Sequence, residues 1–101
     1  MREKRRNFSI EKFAGETEVL LLFSGRLDAN ASAMLGSECA DLFEADYRVT
    51  LDLAKVSSVD SKGLQVLTAL WELGAALTNV PDEIAQKIEI TKHKTRWPSW
   101  H

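Results

Sequence analysis

The stretch SVDSKGLQVL, residues 58–67, sets Asp60 beside Ser61, then Lys62 and Gly63, directly ahead of apolar residues at helical spacing. Such a segment opens a helix, and the first turn of a helix carries unsatisfied backbone N–H groups and a partial positive charge. Two chemistries follow. Ser61 can accept one of those N–H groups as an N-cap. Alternatively Asp60 caps the helix and frees the Ser61 hydroxyl, at a place where the same N–H groups and dipole favour a phosphoryl group. The residues alone leave this choice open. A phosphoryl group adds about 1.5 to 2 negative charges, which whatever protein docks there must accommodate or reject, so the result is a switch without catalysis. Gly63 costs about 1 kcal/mol relative to alanine inside a helix and is read as clearing side-chain bulk beside Ser61. Lys62 adds a long cation one residue past the hydroxyl.

Other combinations are weaker. Ser61, Asp60 and His93 supply the residue types of a hydrolase triad, but no Gly-x-Ser-x-Gly elbow is present and His93 sits in the basic run KHKTR. Cys39, His93 and His101 lack metal-ligand spacing, so no metal is expected, and no other cofactor is called for. A lone Cys39 among apolar helical positions reads as a small buried hydrophobe, in keeping with a reducing cytosol.

The elements that must position these residues form one domain, because 101 residues with a formal net charge of -2 can bury one modest core. That charge gives no general attraction to nucleic acid, and the basic runs REKRR and KHKTR read as solvated ends. The longest apolar run, VLLLF, is too short to span a bilayer, and no apolar signal-peptide core follows the basic N-terminus. A cytoplasmic protein with no direct nucleic-acid binding and no membrane insertion is expected. The chain divides into a basic arm at 1–7, a single domain at 8–90, and a basic tail at 91–101 that carries Trp97 and Trp100.

Phe8 and Ile10 alternate in a first strand at an edge, and after a turn at Gly15 the run EVLLLFSG makes a second strand ending at Gly25, the two forming a hairpin. GRLDAN breaks the pattern, and Asn30 or Ser32 is the expected cap of a helix whose Leu35, Cys39, Leu42 and Phe43 recur at three and four residues. YRVTLDL puts Val49, Leu51 and Leu53 on one face of a central strand. From Ser61 to Leu73 a second helix has a wide apolar face, including Leu64, Leu67, Trp71 and Leu73, with Trp71 buried on the sheet and Gly74 as the stop. AALTNV is a short strand, and Pro81 starts a third helix carrying Ile84 and Ile88. The fold class is α/β: a mixed sheet of about four strands with helices packed largely on one face.

FSGRLDA, followed by VTLDLAKVSSVDSKGLQVL, resembles the STAS domain family, the bacterial anti-sigma factor antagonists. Gly25, Leu27 and Asp28 stand where the family has its Gly-x-Leu-Asp loop, and Asp60, Ser61, Gly63 and Leu64 where it has Asp-Ser-x-Gly-Leu. The resemblance implies a non-enzyme whose Ser61 is phosphorylated by a partner that is both anti-sigma factor and serine kinase, of the histidine-kinase-like ATPase type. It further implies a binding face made of Asp28, Asn30, Asp60, Ser61, Lys62 and Gly63. Two alternatives come with it: an accessory subunit of a lipid-transport ABC complex, and a nucleotide-binding signalling module. This chain departs from the family in Lys62, where a small residue is usual, and in a shorter stretch from Asp60 to Pro81, which implies a trimmed second helix or fourth strand.

Overall fold

Strand alternation decides which side of this protein is covered. The computed structural model describes residues 8–91, the last three as backbone only. In chain order it contains β1 (Phe8–Ala14), β2 (Glu18–Leu27), α1 (Ala29–Glu44), β3 (Arg48–Val59), α2 (Ser61–Glu72), β4 (Ala76–Thr78) and α3 (Asp82–Thr91). The strands form one sheet in the order β1-β2-β3-β4, with β1 antiparallel to β2 and the other two pairings parallel. Parallel neighbours need crossover helices, and successive right-handed crossovers moving in one direction across a sheet lay their helices on the same face. Val19, Leu21, Phe23 and Leu27 of β2 and Val49, Leu51 and Leu53 of β3 point to that face and are buried. Leu35, Cys39 and Leu42 of α1, Leu67 and Leu70 of α2, and Ile84 and Ile88 of α3 cover them. Each fully buried leucine or isoleucine contributes about 1.5 to 3 kcal/mol relative to exposure, so this stripe-on-face burial is the main stabilising term. Burial pushes the Cys39 thiol up to about 11, with the neighbouring Glu38 carboxylate adding to the shift, so the sulfur stays protonated and inert at neutral pH.

The expected order of elements, the edge position of β1 and the central position of β3 are all found. Several details differ. β2 does not stop at Gly25 but runs on to Leu27: Gly25 adopts a φ of 105, a value glycine reaches without strain, and the strand kinks there rather than ending. Its partner β3 also runs further than YRVTLDL, to Val59, and its twelve residues are matched by ten of β2. The two extra residues are taken up by register shifts, one between the Leu22–Asp52 and Ser24–Lys55 pairs and one between the Gly25–Val56 and Arg26–Ser58 pairs. Each shift inserts one residue and reverses which side chains face the core. The core-facing residues of β3 are therefore Val49, Leu51, Leu53, Val56 and Val59, spaced two, two, three and three apart, which hides the strand from a search for simple alternation.

The cap of α1 is Asp28, whose carboxylate accepts the Ala31 N–H at 3.0 Å, in place of the expected Asn30 or Ser32. Any of the three residue types can cap; Asp28 does so because β2 delivers it in extended backbone at the strand end, while Asn30 and Ser32 already lie inside the helix. On α2 the apolar face is narrower than expected. Trp71 is half-buried and Leu73, the C-cap, is 67% exposed. β4 is only three residues long. At its last pair, Asp52–Thr78, the Asp52 carboxylate accepts the Ala54 N–H at 3.0 Å and the Asn79 side-chain amide at 3.1 Å, and Asn79 takes a φ of 54 where β4 ends.

Candidate functional site

β2 and β3 end side by side, Leu27 paired with Val59, so the residues that follow them emerge at one edge of the sheet. Asp28 follows β2 and caps α1; Asp60 follows β3 and caps α2. Asp60 sits in extended backbone, its N–H donating to the Leu27 carbonyl at 3.3 Å and its Oδ1 accepting the Gly63 N–H at 2.9 Å. That geometry resolves the alternatives for the cap: Asp60, not Ser61, satisfies the helix donor. Ser61 is then the first residue of α2, exposed, and its hydroxyl makes no hydrogen bond among the described residues.

Gly63 is placed differently from the expectation that it opens the surface beside Ser61. It is buried, and a Cβ added to it would collide with the Leu27 carbonyl oxygen and come within 2.5 Å of a Val59 methyl. A separation under 3.0 Å from backbone is not accommodated, so glycine is required for α2 to sit down on the ends of β2 and β3. It sets the position of Ser61 from below and contributes no surface.

Around the first turn of α2 the side chains divide. Ser61, Leu64, Gln65, Thr68, Ala69 and Glu72 border a shallow, mainly apolar groove of about 380 Å³ along the outer face of the helix. Lys62 turns the other way, toward the first turn of α1, and borders a second groove with Ser32 and Gln65. Asn30 is exposed in the first turn of α1, and Asp28 is half-buried beneath it. The structure thus gathers Asp28, Asn30, Asp60, Ser61 and Lys62 at one end of the molecule. The sequence reading omitted Leu64, Gln65, Thr68 and Ala69 from the face that Ser61 shares, although their spacing of three, four, seven and eight residues from Ser61 was available as a signal. Ser57 and Ser58 are exposed but lie on β3 at its second register shift, away from any helix N-terminus. His93, His101, Trp97 and Trp100 fall outside the described residues, as do the arm and nearly all of the tail. Among the described residues no group of three or more His, Cys, Asp or Glu side chains could hold a metal ion, and no helix is long and apolar enough to cross a membrane.

A family model described as "STAS domain" matches residues 9–97. No curated protein sequence matches the chain significantly. Among solved structures, it is similar to the anti-sigma factor antagonist SpoIIAA in its unphosphorylated form, with 18% identity over 85% of this chain and 80% of that one and a TM-score of 0.63. It is similar to the phosphorylated form of SpoIIAA, a Bacillus cell fate determinant, with 15% identity over 83% and 82% of the two chains and a TM-score of 0.64. The murine anion transporter Slc26a9 is a third likeness, with 16% identity and a TM-score of 0.55 over 86% of this chain but 18% of the transporter. At these identities the likeness is one of fold.

Proposed function

The chain belongs to the STAS domain family, and from that premise we propose that it is a phosphorylation-switched regulator that binds an anti-sigma factor through the Ser61 end of α2. The observation that carries this is the division of labour between two adjacent residues: Asp60 takes the helix donor, and Ser61 is left exposed with its hydroxyl free. The docking surface is the outer face of α2, where the groove bordered by Ser61, Leu64 and Ala69 offers apolar contact beside the switch. Unphosphorylated, that face docks. A phosphoryl group on Ser61 is stabilised locally by the helix N-terminus, yet brings about 1.5 to 2 negative charges to the rim of an apolar contact and weakens docking.

In this reading the partner is also the serine kinase, and Asp28, Asn30 and Lys62 lie at the margin of its footprint. The test is phosphopeptide mapping after incubation with that kinase and ATP. Label on Ser61 that disappears in Ser61→Ala supports the assignment; equal labelling of Ser61→Ala, or label on Ser57 or Ser58, overturns it. A second reading rests on the likeness to Slc26a9, in which a STAS fold makes up part of a transporter chain. Here the same face of α2 would serve as an accessory contact on a transport complex. Affinity purification from the native host separates the two: recovery of a membrane transporter that is lost on Ser61→Asp favours the second, and recovery of a kinase with the same loss favours the first.

A further inference from the structure

The three helices lie on one face of the sheet, and among the described residues no element covers the other face. Parallel pairs such as β2 with β3 and β3 with β4 are usually sandwiched between two layers, so one layer is open here. Side chains alternate between faces along a strand, and the buried Val19, Leu21 and Phe23 turn Leu20 and Leu22 to the open side. Directly paired residues share a face. Phe13 stands opposite Leu20 on β1, and Thr50 flanks Leu20 on β3. All three border a shallow groove of about 320 Å³ together with Glu18. Phe13 is 54% exposed, whereas Ser9 and Glu11, the other residues of β1 on this side, are polar. The core does not need an aromatic at this position, so its value lies on the open face.

The charges around the apolar strip are not evenly mixed. Leu22 is bracketed by Glu11 on β1 and Asp52 on β3, and Glu18, paired with Arg48, stands two residues before Leu20. Asp52 already accepts the Ala54 N–H and the Asn79 amide. Glu11 and Glu18 are exposed, and their side chains make no ion pair among the described residues. The cations Lys55 and Arg26 lie farther along the strands, in the pairs Ser24–Lys55 and Arg26–Ser58. A strip of Phe13, Leu20 and Leu22 with three carboxylates and one guanidinium at its rim is complementary to a surface that is apolar at its centre and basic at its margins. A second copy centred on this strip would set the same carboxylates against one another. A helix about 10 Å wide spans two to three strands spaced about 4.8 Å apart, and helices are the usual second layer on such a sheet.

We propose that the open face of the sheet is a second protein-binding surface, occupied by an amphipathic helix of another protein that lays an apolar stripe on Phe13, Leu20 and Leu22 and places Lys or Arg beside Glu11 and Glu18. This face lies on the side of the sheet away from α2 and its outer groove, so the two surfaces can be engaged separately.

The probe is a synthetic amphipathic helix of about four turns, with leucine on one face and lysine on its flanks, titrated into the protein while backbone amides are followed by NMR. Saturable shifts centred on β1 and on Leu20 and Leu22 of β2 are expected. The same peptide with glutamate in place of lysine is expected to bind at least about tenfold more weakly, and equal binding of the two overturns the assignment of a basic partner. Phe13→Ser is expected to weaken binding of the lysine peptide about tenfold or more, while Phe13→Leu, which keeps the anchor apolar, retains most of it. Glu11→Gln and Glu18→Gln are each expected to weaken it about two- to fivefold, with the difference shrinking as salt rises. Since Phe13, Glu11 and Glu18 are exposed, the melting temperatures of these variants should stay close to that of the parent. Absence of saturable binding, shifts centred on α2, or equal affinity in Phe13→Ser would each overturn the proposal. A concentration-dependent dimer in sedimentation equilibrium that Phe13→Ser dissolves would also overturn it, by making a second copy the occupant. Every measurement is made without a kinase, so its failure leaves the Ser61 switch untouched, and failure of the switch leaves this surface standing.

Discussion

The two junctions at the top of the sheet, β2 into α1 and β3 into α2, are built alike and used differently. Each has an aspartate in extended backbone, with φ of -103 at Asp28 and -101 at Asp60, whose carboxylate accepts the N–H of the third helical residue. Each follows a strand end paired with the other. Of the positions at which they differ, the first and third helical residues set the two apart as structure. The first helical residue is Ala29 in one junction and Ser61 in the other, and the third is Ala31 in one and Gly63 in the other. The core accepts the Ala31 methyl fully buried, whereas at Gly63 it leaves no room for a methyl against the Leu27 carbonyl. A shared capping device can thus serve as plain structure in one place, and in another press a helix tightly on the sheet and leave a hydroxyl on show.

The largest expected effect breaks this comparison at the third helical residue. Gly63→Ala should destabilise the domain by about 3 kcal/mol, because the added methyl meets backbone that cannot yield, while Ala31→Gly at the matching position of α1 should cost about 1 to 2 kcal/mol through helix propensity and the loss of one buried methyl. Urea unfolding of the two variants measures both; similar losses would mean that the tight contact under Gly63 is relieved at little cost. Next come the caps. Asp28→Ala and Asp60→Ala should each cost about 1 kcal/mol, and the closeness of the two values tests whether the junctions are equivalent as structure. A markedly larger loss at Asp60 would indicate that it supports more than the helix start.

The smaller effects address use rather than structure. Ser61→Asp should change stability by less than about 0.5 kcal/mol, since an acidic group suits a helix N-terminus, while it abolishes most partner binding. Paired melting and binding measurements separate these, and a large drop in melting temperature would identify Ser61 as a structural residue. The finest test moves the hydroxyl: Ala29→Ser combined with Ser61→Ala shifts it to the first position of α1, behind the same kind of cap. If the proposed docking on the outer face of α2, with Leu64, Thr68 and Ala69, holds, no labelling by the kinase is expected, because the moved hydroxyl no longer borders that face. Labelling of this double variant at the rate of the parent would show that a free hydroxyl behind an aspartate cap is sufficient.

Some of this was legible in the chain before any coordinates. Period-two alternation in Phe8–Ile10 and Val49–Leu53, and three- and four-residue spacing from Leu35 to Phe43 and from Leu64 to Trp71, are local patterns, and they determined the order of elements, the buried stripes and the place of Ser61 at a helix start. The joint occurrence of the Gly25–Asp28 and Asp60–Leu64 motifs carried the family. What only the tertiary structure decided depends on contacts between residues about thirty positions apart. Whether Asp28, Asn30 or Ser32 caps α1 is set by where β2 releases the chain, and β2 runs past Gly25 because β3 continues beside it to Val59. The two register shifts that turn Val56 and Val59 inward exist because twelve residues of one strand must match ten of another. Gly63 reads as a surface clearance along the helix, and it becomes a close-packing requirement only when the Leu27 carbonyl, from another strand, arrives beneath it. Local periodicity reports how a residue relates to its own element, whereas the second surface against which it packs is supplied by a distant part of the chain, and that meeting leaves no mark in local spacing.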